Sequence, residues 1–377
     1  MPYGGRIDSQ PFDKPWRWDR ALGCVLGAAI GDSIFGGAGE IGEFGMATEL
    51  AILEAHSFVE AGAIEPARPL IFDNFQQWLA ALPHDEWPGF ATVVHDWRGM
   101  EGAAERALLK HKDGLRDSSC LTRASFAATR WSFSYGDTAY VARRFCRVTH
   151  ADPAAVEARV LLHEIISTQR NLERKPLGEP ELSRRVTPSS IMPEFRDLAQ
   201  AVLVGDDFDS PNGEPWGCLR DAVKAVRETD SFEDCVGRAV DFAGDTRAVA
   251  VVAGAIAGIR YGASEIPTDW VSKVGGSVLG KRYEADDLGN LLKEHVAVAS
   301  DETLTGFFPR INDEFAARYL DGYERVSRLS PAEMRYFERF HADEGARRIA
   351  DYTPAEREWW ERRQWRNAER LQLRDPE

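Results

Sequence analysis

The side chains with chemical capacity in this sequence are a few carboxylates beside glycines, an arginine two places from an aspartate, and a histidine ahead of a helix. Glu40 lies inside the glycine-rich run GGAGEIGEFG, residues 36–45. A carboxylate in such a loop has no evident packing role, which leaves it available for acid–base work. Asp32 ends a run of small residues and serves either as a helix-end cap or as a functional carboxylate. Asp245 stands immediately before an apolar run that begins at residue 246, the natural place for an N-cap. Arg247 follows two residues later, a spacing that points two helical side chains in different directions. His150 precedes a helical pattern starting near residue 153 and either bonds the backbone there or meets a ligand. Trp216 is either a core aromatic or a wall of a binding cleft.

Three familiar patterns fail on context. Gly37-x-Gly39-x-x-Gly42 matches the dinucleotide fingerprint in form, but a helical Ala/Gly-rich run precedes it where that mechanism needs a strand. His163-Glu164 is half of a zinc-protease motif, and Ser167 stands where its second histidine belongs. No G-x-S-x-G elbow is present to expose a nucleophilic serine.

The elements that must position these groups are helical. Apolar residues recur at three- and four-residue steps throughout. Residues 18–31 form a helix with Gly23, Gly27, Ala28 and Gly31 on its surface, a pattern suited to close packing, since each helical glycine costs about 1 kcal/mol against alanine. Residues 48–62 form a second, starting at a Thr48 N-cap and ending at Gly62. Further helices are predicted over 101–111, 120–131, 137–148, 153–170, 194–204, 217–228, 231–242 and 246–262. No alternation of period two extends beyond a few residues, so the fold class is all-α. The proline-bearing stretch 171–193 and the run GDDFDSPNGEPW, residues 205–216, are loops.

Composition narrows the class further. The 377 residues carry 46 Lys+Arg against 61 Asp+Glu, a net charge of −15 that argues against nucleic acid and anionic membrane surfaces as partners. No run approaches the ~20 apolar residues of a membrane span, and the first residues lack the apolar core of a secretion signal. The five cysteines, at 24, 120, 146, 218 and 235, form no C-x-x-C pair and read as reduced thiols of a cytoplasmic protein. Residues 328–377 hold 11 basic and 11 acidic residues, so the whole negative charge belongs to the preceding chain. SPAE (330–333) and TPAE (353–356) each offer a hydroxyl cap, a first-turn proline and a glutamate. The expected organisation is an N-terminal arm (1–17), a helical domain (18–300) and a C-terminal helical extension (301–377). The extension is a packing appendage or a subunit contact, a route to a homodimer.

Three segments, taken together, resemble a known family. They are GCVLGAAIGDSIFGGAGE (23–40), VTHADP (148–153) and SFEDCVGRAVDFAGDTRAVAVVAGAIAGIRYGASEIPTDW (231–270). In order and spacing they are similar to the ADP-ribosylglycohydrolases, which include the dinitrogenase-reductase-activating glycohydrolases and crystallin-like members. The resemblance runs from about residue 18 to about 298 and implies an orthogonal helical bundle with a cleft between helices. In the family that cleft holds two Mg²⁺ ions and an ADP-ribosyl group. The ions are ligated from a T-D-D-T box after the first helix and from a late D-x-D-T. Carried over residue by residue, the resemblance implies that Asp32 and Glu40 match the early G-D and Glu, and that Ser118, Ser119 and Cys120 belong to a variant of the N-G-A-x-M-R loop. It implies further that His150 matches the T-H step, that Gly213 and Trp216 lie beside the distal ribose or adenine, and that Gly244, Asp245 and Thr246 retain the late motif.

The sequence departs from the family where the metals should bind. One alignment puts Gly45, Met46, Ala47 and Thr48 under T-D-D-T, which loses both aspartates. The other puts Thr48, Glu49 and Leu50 under T-D-D and breaks the match of the following helix. In the late motif Arg247 replaces the second Asp and Ala248 the final Thr. A guanidinium stays protonated, so a fixed cation stands where cations would bind. The expectation is no metal ligand set and no cofactor, with Mg²⁺ only at a reduced site. The ligand is an ADP-ribose-like or nucleoside small molecule. Glu40, Asp245 and Arg247 are the catalytic candidates, the carboxylates as base or oxocarbenium stabiliser and the arginine as electrostatic support. A catalytically inactive relative using the same cleft for binding is the alternative.

Overall fold

Two helices rich in alanine and glycine pack against each other in backbone contact. In a computed structural model the described residues are 15–34, 41–62, 64–81, 117–130, 135–150, 152–171, 186, 191–210, 213–242 and 245–297. Helix α1 is Pro15–Ser33, and thirteen of its residues from Arg20 onward are buried. Then come α2 (Met46–Ala61), α3 (Ile64–Ala81), α4 (Ser119–Thr122), α5 (Ser125–Arg130), α6 (Tyr135–Cys146) and α7 (Pro153–Asn171). After a 3₁₀ turn at Pro193–Phe195 follow α8 (Arg196–Val204), α9 (Pro215–Arg227), α10 (Phe232–Ala239), α11 (Thr246–Tyr261) and α12 (Thr268–Lys273). A hairpin of β1 (Gly275–Val278) and β2 (Lys281–Glu284) leads into α13 (Ala285–Ala297). The all-α expectation holds, with this one small antiparallel sheet as the exception among the described residues.

The glycines of α1 meet those of α11. A methyl group built on Gly23 would lie 2.3 Å from the Gly258 carbonyl oxygen, on Gly27 2.1 Å from that of Gly254, and on Gly31 2.2 Å from that of Ala250. Backbone touches backbone at three successive rungs spaced four residues apart. This contact brings the C-terminus of α1, with Asp32, to the N-terminus of α11, with Arg247. Helices α7, α9 and α10 flank α11, and α2 packs between α3 and α13.

Several boundaries differ from expectation for identifiable reasons. Helix α2 starts at Met46 rather than after Thr48, with Gly45 as N-cap. Gly45 has no side chain to cap with, so Asp32 does it from another helix: its Oδ2 accepts the amides of Gly45 and Thr48, both at 2.9 Å. Gly62 ends α2 as expected, in the left-handed conformation at φ 71°. The predicted helix 120–131 is two short helices, α4 and α5, separated at Arg123 and Ala124. Helix α3, with Pro69 inside it, and helix α13 escaped the sequence reading.

The hairpin also positions the site. Glu43 bridges Gly275 in parallel, with the Phe44 amide bonded to the Gly275 carbonyl at 2.7 Å. A methyl group on Gly276 would strike the Phe44 ring at 2.5 Å, so the ring lies directly on that glycine. The chain is thereby held in its final approach to Gly45. All five cysteines are free and buried. Among the described residues no helix is long and apolar enough to cross a membrane. The predicted helix 101–111, the N-terminal arm before residue 15 and the C-terminal extension lie outside the described residues.

Candidate functional site

The end of α1 and the first turns of α2 and α11 converge on one buried carboxylate. Asp32 is fully buried, and both its oxygens are engaged. Oδ2 takes the two amides of α2, and Oδ1 takes Arg247 Nε at 2.8 Å. Arg247 retains 38% of its side-chain exposure. Its guanidinium lies on Gly45, since a methyl group there would come within 2.1 Å of Nη2. Glycine at 45 leaves room for the arginine in this position, where any side chain would push the guanidinium aside, and the arginine ties α11 to the junction of α1 and α2.

A second knot lies on the other side of the α11 N-terminus. Asp245 caps that helix, its Oδ1 accepting the Ala248 amide at 3.3 Å, and its Oδ2 accepts the Ser118 hydroxyl. Ser118 also donates its amide to the Gly213 carbonyl at 3.0 Å. Burial pushes the neighbouring Cys218 thiol up, and the charge of Asp245 adds to this.

From Ser118 the loop turns into a buried polar chain. His150 Nε2 faces Asp117 Oδ1 at 3.3 Å and Ser119 Oγ at 3.4 Å, and its Nδ1 faces Thr149 Oγ1 at 2.7 Å. A carboxylate only accepts, so the imidazole proton sits on Nε2 and the Thr149 hydroxyl donates to Nδ1. Thr149 Oγ1 in turn accepts from Arg123 Nη2 at 2.7 Å. Arg123 pairs with Glu54, which also receives Arg159. Burial holds His150 below its ordinary value against the pull of Asp117, with Arg123 and Arg159 adding to burial, so the imidazole is neutral above pH 6.5. Partial burial works to raise Asp117. The hydrogen bonds from His150 and from the Ser119 amide and hydroxyl outweigh it, and the carboxyl sits well below its usual range.

The structure brings together Asp32 and Arg247, Ser118 with Asp245 and Gly213, and Ser119 with His150. Three further candidates, Cys120, Trp216 and Thr246, are taken up by internal contacts. Cys120 is buried with Sγ toward the Asp117 and Ala155 carbonyls, a wall of the loop rather than part of a surface. Trp216 is buried and stacks on Phe195, with centroids 5.9 Å apart at 15°. Thr246 donates back to the Phe242 carbonyl at 3.1 Å. Glu40 and Gly244 lie outside the described residues. Asp117, Thr149, Glu54, Arg123 and Arg159 were missed as a network. One local signal existed for Asp117: it precedes Ser118-Ser119 and bonds the Ser119 amide at 2.9 Å, the side-chain turn that Asp commonly makes two residues on. His163 is a buried helix-face residue whose Nε2 accepts from Arg159 at 3.4 Å.

The buried histidines set an acid limit. His150, His163 and His295 are all held low, in each case first by burial. Above their ordinary value of 6.5 they are neutral in both folded and unfolded states. Below it the unfolded chain binds protons that the native state refuses, so stability is undiminished above about pH 6.5 and falls as pH drops. Each histidine costs up to ~1.4 kcal/mol per pH unit. The urea midpoint is expected to hold from pH 8 to 7 and to drop steeply between pH 6 and 5. A flat profile across that range would contradict neutral burial of these rings.

Comparison with known proteins agrees with this architecture. The model of the ADP-ribosylglycohydrolase family matches residues 13–302. A curated relative, ADP-ribosylarginine hydrolase Tri1 of Pseudomonas putida, is 41% identical over 324 residues, covering 74% of this chain and 84% of the relative. The ADP-ribosyl-[dinitrogen reductase] glycohydrolase of Rhodospirillum rubrum is 23% identical over 293 residues, covering 68% of this chain and 90% of the relative. A solved structure described as an ADP-ribosylglycohydrolase-related protein complex superposes with a TM-score of 0.57 at 20% identity, over 76% of this chain and 99% of that one, which shows the shared fold. With its paired glycine helices, its kept G-D and G-D-T steps and this match across most of its length, the chain belongs to the ADP-ribosylglycohydrolase family.

Proposed function

We propose that this protein hydrolyses the N- or O-glycosidic bond of an ADP-ribosyl or related nucleoside-type substrate without the two-Mg²⁺ centre of its family. The observation that carries this reading is the Arg247–Asp32 pair seated on Gly45. Mg²⁺ requires oxygen ligands in near-octahedral array. Both oxygens of Asp32 are already committed, and Met46 and Ala47 supply no side-chain oxygen. Arg247 adds a charge that cannot be removed by deprotonation. Among the described residues no three His, Cys, Asp or Glu side chains gather as a ligand set. The described residues offer two ions no ligand set, which supports this reading.

In the proposed reaction the anomeric carbon loses its bond to the leaving nitrogen or oxygen and gains the hydroxyl of water. The water proton passes through a carboxylate to the leaving group. Arg247 holds an oxygen of the substrate and offsets negative charge in the cleft. Asp245 and Glu40 are the carboxylates assigned to the proton and to the oxocarbenium-like state. The relatives act on ADP-ribosylarginine and ADP-ribosyl-dinitrogen reductase by name, which supports the ADP-ribosyl class.

The test is release of ADP-ribose from ADP-ribosyl-arginine, ADP-ribosyl-serine and O-acetyl-ADP-ribose, and cleavage of NAD, in EDTA and in Mg²⁺. Turnover equal in both, and lost in Asp245→Asn, is the expected result. Asparagine caps a helix as well as aspartate, so that variant keeps its fold. Turnover that vanishes in EDTA and returns with Mg²⁺ would overturn the reading. One observation favours the alternative of an inactive binder of ADP-ribose-like ligand or of a protein partner. Asp32 and Asp245 both spend their oxygens on internal bonds. Binding of ADP-ribose with no turnover on any substrate would establish that alternative.

A further inference from the structure

The junction of α2 and α11 carries hydrogen-bond donors with no acceptors. Arg247 uses only Nε, for Asp32. Its two terminal amino groups bond nothing among the described residues. The amides of Met46 and Ala47 belong to the first turn of α2, where no helical carbonyl is available, and no other group takes them among the described residues. The Thr48 hydroxyl in the same turn is without a partner, although Thr48 is only 5% exposed. A buried hydroxyl left unpaired costs about 1–3 kcal/mol, so its retention calls for an acceptor. The guanidinium stands at the N-terminal ends of two helices, α2 and α11, where the backbone dipoles are also positive. One carboxylate bonds it, and another stands two residues before it in the chain. Asp32 offsets one unit of charge, and Asp245 is occupied by the α11 cap and by Ser118.

We infer that Arg247, the Met46 and Ala47 amides and the Thr48 hydroxyl form a seat for a phosphate group. The donor count selects phosphate over carboxylate. Two amino groups, two amides and a hydroxyl make five donor groups, and a carboxylate offers about four lone-pair sites on two oxygens. A phosphate presents more oxygen, tetrahedrally arranged, and matches both the guanidinium fork and a helix N-terminus. The seat deepens the function proposed above and rests on that reading only for the source of the phosphate. That source is either the pyrophosphate of an ADP-ribosyl ligand or a separate phosphate ion.

The experiment is calorimetric titration and thermal denaturation of the full chain with inorganic phosphate, ADP-ribose and adenosine. Wild type, Arg247→Lys and Thr48→Val are compared. Lysine keeps a charge for Asp32 and loses the fork. Valine removes an unpaired hydroxyl, so the ligand-free midpoint stays level or rises. Phosphate and ADP-ribose are expected to raise the wild-type midpoint, with affinity at least tenfold weaker in Arg247→Lys and several-fold weaker in Thr48→Val. Adenosine affinity should not change. ADP-ribose alone showing this pattern would assign the seat to a pyrophosphate, and both ligands showing it would assign it to phosphate generally. Failure of the wild type to bind either, or binding indifferent to both substitutions, overturns the seat. If turnover persists under that indifference, the proposed function stands without the seat. Arg247-dependent phosphate binding with no affinity for any ADP-ribosyl ligand supports the seat and overturns the function.

Discussion

Gly27→Ala is expected to cost the protein several kcal/mol and to lower its thermal midpoint by roughly 10 °C or more. The new methyl would sit 2.1 Å from the Gly254 carbonyl oxygen and 2.8 Å from its carbon. The obstacle is backbone on the facing helix, which has no rotamer to change. Relief requires α1 and α11 to move apart, and that loosens the rungs at Gly23–Gly258 and Gly31–Ala250 as well. Overpacking ordinarily costs about 1–3 kcal/mol and more where nothing can yield. In a domain of this size each kcal/mol moves the midpoint by ~2–4 °C. Gly237→Ala in α10 is the matched control, because nothing lies within 4 Å of its would-be methyl. That variant should gain about 0.5–1 kcal/mol from alanine's better helix propensity. Circular dichroism melts of the two should shift in opposite directions. Equal midpoints for Gly27→Ala and wild type would mean that the two helices do not cross in backbone contact. The same substitution should loosen the Asp32–Arg247 pair, which sits one residue beyond Gly31 on α1.

The glycine ladder marks how far local sequence carries. The four-residue spacing of Gly23, Gly27 and Gly31 announces a helix face built for close approach, and the structure uses it so. The partner was not legible, because Gly254 and Gly258 lie more than two hundred residues away. Asp32 reads locally as a helix-end cap, and it is one, but of α2 rather than α1. Thr48 looks like the N-cap of α2 because its side chain has the right chemistry. Gly45 takes that position because the Asp32 carboxylate arrives from outside. Helix α3 was hidden by Pro69, which local rules treat as an end. The hairpin was hidden by its brevity, four residues a strand with Leu279 and Gly280 at positive φ in the turn. Ser118 with Asp245, and Ser119 with His150, were grouped by the family resemblance and meet in space. Residues whose partners are fixed only by tertiary packing stayed invisible, and Glu54 is the clearest of them.

Glu54→Gln is expected to destabilise the protein by about 3–5 kcal/mol. Its carboxylate accepts Arg123 Nε at 3.0 Å, Arg159 Nη1 at 3.3 Å and Arg159 Nη2 more closely. All three side chains are almost wholly inaccessible to water. Glutamine keeps the shape and removes the charge, which leaves two buried guanidinium groups with no counter-ion on that face. The strain should also reach the site. Arg123 fixes Thr149, Thr149 fixes the bare Nδ1 of His150, and His150 directs its proton to Asp117. Two readouts separate the stability role from the positioning role. The triple variant Glu54→Leu, Arg123→Met, Arg159→Met replaces the buried ions with apolar volume and should recover most of the lost stability, because the desolvation penalty disappears with the charges. It should not recover the orientation of His150, since the Arg123 donor is gone. Thermal melts should then rank wild type and triple variant together, above Glu54→Gln. The imidazole nitrogen shifts measured by NMR should set the triple variant apart, with its Nε2–H tautomer no longer enforced. A Glu54→Gln protein within 1 kcal/mol of wild type would mean that the two arginines find compensation elsewhere, and the polar chain from α2 to Asp117 would lose its anchor.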